Sequence, residues 1–148
     1  MDYKIVEKPA FKIVGMKYFG NNSDGAIGGL CQEFYTKRIH TIKNRLNVGT
    51  AYGYDTWTSE INKNGKFTYI AGVEVSDDSE VPEDMVYIEV PSNKYAVFVL
   101  ENLTDGSVQE VYRKWMPQYG LEVNGNYDFE FYETEDKDAP AHFHVPIK

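Results

Sequence analysis

Two kinds of hydrophobic period alternate along the chain, and the alternation runs twice. YKIVEK (3–8) and FKIVGMKYF (11–19) carry apolar residues as strands do and are parted by Lys8-Pro9-Ala10. NNSDG (21–25) is a polar break that can start a helix, and Ile27, Leu30, Cys31 and Phe34 then recur at helical spacing. That stripe loses phase near Thr36-Lys37-Arg38, and IHTIKNRLN (39–47) reads as either a second short turn of helix or a loop. TAYGYD (50–55) alternates as a strand with Tyr52 and Tyr54 on one face. Asn64-Gly65 has the chemistry of a type I′ hairpin turn, and the strand KFTYIAGVEV (66–75) follows it. SDDSEVPED (76–84) is acidic and aperiodic and reads as a linker; its acids lack the spacing of a calcium loop.

The pattern then restarts. MVYIEV (85–90) and KYAVFVLEN (94–102) read as strands parted by Pro91-Ser92-Asn93. Ser107 and Glu110 have capping-box spacing, and Val108, Val111, Tyr112 and Trp115 fall at i, i+3, i+4 and i+7 of an amphipathic helix ended by Pro117 and Gly120. NYDFEFYET (126–134) and HFHVPI (142–147) close the series as strands. An offset of 82 residues places Glu7, Pro9 and Lys12 on Glu89, Pro91 and Lys94. These identities and the repeated order of elements predict an internal duplication. The expected architecture is α+β: two βαββ-type modules, each led by an extra strand, with sheets joined side by side about a pseudo-two-fold axis. Both helices then flank a central groove, a common place for a ligand. The expected organisation is one domain over 1–148, with halves of about 1–76 and 84–148.

Composition sharpens this picture in two places. The net charge of −8 argues against a nucleic-acid partner, which needs a basic surface, and is compatible with cationic ligands. The 12 tyrosines among 148 residues suggest either a lined cavity or a β-rich fold that favours aromatics. No apolar run is long enough to span a membrane, and MDYKIVEKPAF lacks the apolar segment of a signal peptide, so a cytoplasmic location is expected. Cys31 is the only cysteine, which leaves no disulfide framework. In NYDFEFYE (126–133), Phe129 and Phe131 alternate with Asp128, Glu130 and Tyr132. The polar set is either a solvent face or the wall of a pocket that wants a positive charge.

Several pieces in order resemble a known family: Tyr69-Ile-Ala-Gly-Val-Glu-Val75, Val81-Pro82, the IEVP of 88–91 and Tyr95-Ala-Val-Phe98, followed by Trp115-Met-Pro117, Phe129-Glu-Phe-Tyr132 and Val145-Pro-Ile-Lys148. The chain resembles the GyrI-like (gyrase-inhibitor-like) small-molecule-binding domain, the effector-binding module of some AraC-type and MerR-type regulators, which also occurs alone. The resemblance implies duplicated SHS2-like modules with a pocket between them. It also implies that a glutamate two residues before a tyrosine, here Glu130 and Tyr132, meets cationic ligands. By this reading the polar face of NYDFEFYE is the pocket wall. The chain has no room for the DNA-reading segment of those regulators and is not expected to bind DNA itself.

Tyr52 and Tyr54 lie on the strand that mirrors the Glu130 strand and are the candidate aromatic partners; Tyr69 and Trp115 complete the candidate ligand-binding set. Each has a plainer reading as a core or surface aromatic. Glu74 reads as a strand-end charge, and Asp128 as a second acid or a turn residue. His142 and His144 share one strand face but lack an evident third ligand, so no metal and no cofactor is expected. The expected role is binding of lipophilic, cationic aromatic molecules as a stand-alone sensor or sink. Two alternatives stay open: hydrolysis of strained cyclopropane-type compounds by the same Glu and Tyr, and an interaction with a protein partner, as the gyrase-inhibitor name implies.

Overall fold

The computed structural model describes residues 1–58, 65–76, 80–136 and 138–148. Its strands are β1 (Lys4–Lys8), β2 (Phe11–Gly20), β3 (Ala51–Thr56), β4 (Phe67–Val75), β5 (Val86–Val90), β6 (Asn93–Leu100), β7 (Tyr127–Tyr132) and β8 (Ala141–Ile147). They form a single antiparallel sheet in the order β1-β6-β8-β7-β3-β4-β2-β5. The order is symmetric about the β7/β3 junction: β6-β8-β7 on one side answers β2-β4-β3 on the other. The two lead strands are exchanged. β1 pairs with β6, and β5 pairs with β2. The offset of 82 residues becomes visible in the register, where Glu7 stands opposite Lys94 and Lys12 opposite Glu89. Asn64 of the expected hairpin turn and residues 77–79 of the expected linker lie outside the described residues.

Each half crosses over through a helix on the same side of the sheet. The helix α1 (Ala26–Glu33) begins after Gly25, whose φ of 72° suits a residue without Cβ. Asn22 Oδ1 and Asp24 Oδ1 accept from the Ile27 and Ala26 amides at 3.0 and 3.2 Å, satisfying two of its free N–H groups. The helix α2 (Asp105–Glu110) is capped by Thr104, whose side chain accepts from the Ser107 amide while the Thr104 amide donates to Ser107 Oγ. The capping box therefore sits three residues before its expected start at Ser107. Thr104 can hold an extended backbone (φ −130°) and so ends the preceding loop, and Ser107 supplies the reciprocal acceptor.

Both helices widen at the same point. Phe34–Arg38 and Val111–Trp115 are π-helical; the first runs into a 3₁₀ turn (Ile39–Thr41), the second into α3 (Met116–Gln118). A π segment adds one residue to a turn and shifts every later side chain. Phe34 and Ile39 are consequently both buried, five apart, and so are Val111 and Met116. This accounts for the phase loss at Thr36-Lys37-Arg38. It also corrects the helical stripe in the second half: Met116, rather than Trp115, follows Val111 into the core.

Three clusters make the core. One packs under α1 around Val14, Phe34, Ala71 and Val73, and one under α2 around Phe98, Val111, Phe143 and Val145. The third lies on the opposite face, which no described helix covers, and includes Phe11, Tyr52, Tyr95 and Phe129. Phe11 on β2 and Phe129 on β7 are three strands apart, about 14 Å on a flat sheet. Their rings are 5.5 Å apart. The sheet therefore curls strongly, so that this face packs on itself.

Candidate functional site

The curl pushes the helix-side face of the β3/β7 junction outward between α1 and α2, and a cavity of about 1050 Å³ opens there. Strand alternation decides which side chains reach it. On β7, Phe129 turns to the helix-free core, while Asp128, Glu130 and Tyr132 turn to the cavity. Glu130 stands opposite Gly53 on β3, and Asp128 opposite Asp55. Ile27 and Cys31 of α1 and Val108 and Tyr112 of the second helix form the side walls.

The floor is acidic and nearly dry. Asp128 and Glu130 are 4% and 3% exposed. Tyr69 on β4 donates to Glu130 Oε1 at 3.2 Å, and Tyr112 donates to Asp128 Oδ2 at 2.6 Å. To reach Tyr69 from β7, the Glu130 side chain must cross β3. It does so over Gly53, where a Cβ would fall on Glu130 Oε1 and the Tyr69 hydroxyl. Only glycine leaves that passage open.

Burial pushes Glu130 up to about 8, with the Asp128 charge adding to the rise and the Tyr69 hydrogen bond opposing it. Burial also raises Asp128 to about 7, against the hydrogen bonds from Tyr112 and Asp55. Asp55 is held well above the ordinary carboxylate range, first by burial and then by the charges of Glu130 and Asp128. Asp55 and Asp128 are hydrogen-bonded to each other, so the pair holds a proton between them. None of the ion pairs between described residues involves these three acids. Cys31 approaches the Tyr69 hydroxyl at 3.7 Å, and burial raises its thiol, which keeps it from being a ready nucleophile.

Of the six candidate side chains, Glu130, Tyr132 and Tyr69 come together in the cavity. Tyr52 and Tyr54 share a face, but it is the other face. Tyr52 stands opposite Phe131 and Tyr54 opposite Phe129, and both pack in the helix-free core. Their placement beside Glu130 is corrected by the register, which sets Gly53 and Asp55 there instead. Trp115 packs at the end of the second helix, stacked on Tyr119 with Lys114 Nζ over its ring, and does not line the cavity. The additional π-segment residue turns it away.

Sequence reasoning missed Gly53, Asp55, Trp57 and Tyr112. Alternation on β3 pairs Gly53 with Asp55 on one face, yet only the inter-strand register says which face meets Glu130. His142 and His144 are away from the cavity. His144 stacks on Phe129 and its Nδ1 donates to the His142 carbonyl at 2.7 Å; burial pushes it down to about 4, so it is neutral near pH 7. Among the described residues no group of three or more His, Cys, Asp or Glu is placed to hold a metal ion. No described helix is long and apolar enough to cross a membrane.

A curled antiparallel sheet, two flanking helices and a cavity with buried acids between them define an effector-binding domain of the GyrI-like kind, a small-molecule-binding class related to transcription regulators. The chain belongs to the family of integron-associated effector binding proteins (Cass2), which matches residues 4–147. The transcriptional regulator BrlR of Pseudomonas aeruginosa is 36% identical over 155 residues, covering 99% of this chain and 56% of BrlR. The chain thus spans about half the length of that relative. The structure of SAV2435 bound to tetraphenylphosphonium is similar with a TM-score of 0.71 at 22% identity, covering 100% of this chain and 94% of SAV2435. The integron cassette protein Cass2 of Vibrio cholerae is similar with a TM-score of 0.65 at 18% identity, covering 99% of this chain and 95% of that protein.

Proposed function

We propose that the cavity binds lipophilic organic cations and that the protein serves as a sensor or sink for them. One observation carries the reading: Glu130 is a buried acid at the floor of an aromatic cavity, and no ion pair between described residues neutralises it. Burial disfavours the ionised form of this carboxyl, and a cationic ligand restores that form on arrival by supplying the missing counter-charge. Tyr69, Tyr132 and Trp57 line the same cavity, and a ring face that meets a cation is worth roughly 0.5–2 kcal/mol. None of these attractions demands one ligand shape, so the site suits a range of flat cations. The net charge of −8 draws such ligands toward the protein. The capture of tetraphenylphosphonium by SAV2435, a protein of the same fold, supports the same reading.

The test is a thermal-shift panel of cationic, neutral and anionic aromatics of matched size, with mass spectrometry of the recovered compounds. The expected result is stabilisation by the cations alone, with every compound returned unchanged. Equal stabilisation by all three sets would remove the carboxylate from recognition. Chemical conversion of a compound would replace binding by catalysis.

A further inference from the structure

Two more carboxyls open into the cavity beside Glu130. Asp55 and Asp128 stand directly opposite each other on β3 and β7, line the same cavity and share a hydrogen bond. Glu130 lies two residues further along β7 on the same face, its backbone about 7 Å away at strand spacing. Different tyrosines pin the two points: Tyr112 of the second helix holds Asp128 Oδ2, and Tyr69 of β4 engages Glu130 Oε1 alone. Glu130 is also seated over Gly53, where no other residue leaves room. The spacing of the two acid points is therefore set by the sheet and its supports and does not depend on free rotamers.

Neither point is neutralised by an ion pair between described residues, and both open into the same cavity. Among the described residues no group of three or more His, Cys, Asp or Glu is placed to hold a metal ion. A single organic cation supplies a counter-charge to one point and leaves the other acid with hydrogen bonds alone, which disfavours its ionised form. Resting on the reading of this cavity as a site for organic cations, we propose that it is matched to dications: flat organic molecules with two positive centres about 7 Å apart, one over Glu130 and one over the Asp55–Asp128 pair.

The test uses the full chain and two rigid probes of equal shape and fixed charge. Methyl viologen carries two pyridinium centres, and 1-methyl-4-phenylpyridinium carries one. Calorimetry near neutral pH, in two buffers of different ionisation enthalpy, gives affinities and protons released. The dication is expected to bind about tenfold or more tightly than the monocation and to release more protons, since it ionises both points. In Asp128→Asn the ratio of the two affinities is expected to fall below about threefold, because the neutral amide still accepts from Tyr112 but offers no charge. If that variant does not fold, Asp55→Asn tests the same pair. Binding of the monocation with a ratio near one in the unaltered protein, or a ratio unchanged in the variants, overturns the dication match alone. Failure of both probes to bind overturns it together with the reading it rests on.

Discussion

Replacing Glu130 by glutamine removes one charge and keeps the length of the side chain. With its carboxyl pushed up to about 8, Glu130 is mostly protonated at pH 7. A cation that binds there must expel the proton, at a cost of about 1.4 kcal/mol for each pH unit below the pKa. A cation 4 Å from the carboxylate gains roughly 4 kcal/mol at an effective dielectric near 20. The difference is what Glu130→Gln loses: about 2.6 kcal/mol at pH 7, near 1.3 at pH 6 and close to 4 at pH 9. Titration calorimetry with tetraphenylphosphonium, whose charge does not change with pH, reads this loss directly. Triphenylphosphine oxide, aromatic and neutral, is the control, and it is expected to bind the glutamine variant as well as or better than the unaltered protein. A loss that does not grow between about pH 6 and pH 9 would refute the electrostatic reasoning. Equal affinities at the alkaline end would remove Glu130 from the site.

The same carboxyl bears on stability without ligand. Glu130 binds its proton more tightly folded than unfolded, so its contribution is full below the ordinary pKa of about 4.3 and is lost as pH rises through about 8. In urea titrations the stability of Glu130→Gln relative to the unaltered protein is therefore expected to rise across that window, by up to about 1.4 kcal/mol per pH unit. Gly53→Ala is expected to cost about 1–3 kcal/mol through collision with Glu130 Oε1 and the Tyr69 hydroxyl, and less in a Glu130→Ala background, where only the Tyr69 contact remains; a double-mutant cycle in urea measures the coupling. Tyr112→Phe is expected to cost about 0.5–1.5 kcal/mol and to raise Asp128 further, visible by carboxyl NMR titration. Gly28→Ala and Gly29→Ala each add a methyl that meets nothing, and each is expected to raise the urea midpoint, by about 0.4–1 kcal/mol of stability.

Strands were the most legible part of the chain. All eight observed strands fall within or beside the runs read from alternation, because a half-buried antiparallel strand writes its two faces into adjacent letters. The division of NYDFEFYE into a phenylalanine face and a polar face was legible for the same reason, whereas the reading of the polar face as a pocket wall came from the family resemblance. What alternation cannot supply is the partner. Tyr52 and Tyr54 were grouped together correctly and assigned to the wrong side, since the face shared with Glu130 is fixed by the pairing of Ala51–Thr56 with Tyr127–Tyr132, far apart in sequence. The helices were blurred by their π segments, which break the 3.6 period that the eye follows through Trp115. Asp55 and Tyr112 were hidden because each is an ordinary strand or helix residue until the curl of the sheet brings them to Asp128.

The exchange of lead strands has a mechanical consequence. β1 edges the half that contains β6, and β5 edges the half that contains β2. Neither half owns a finished sheet, so each is clasped by the other's first strand. Pulling the halves apart would strip an edge from both at once, and the cavity floor at the β3/β7 seam would open in the same event. Severing the chain between the halves would then yield two fragments that are unfinished alone and complementary when mixed. A ligand seated across the seam tightens the whole molecule, since it bridges two bodies that are already hooked together at both ends.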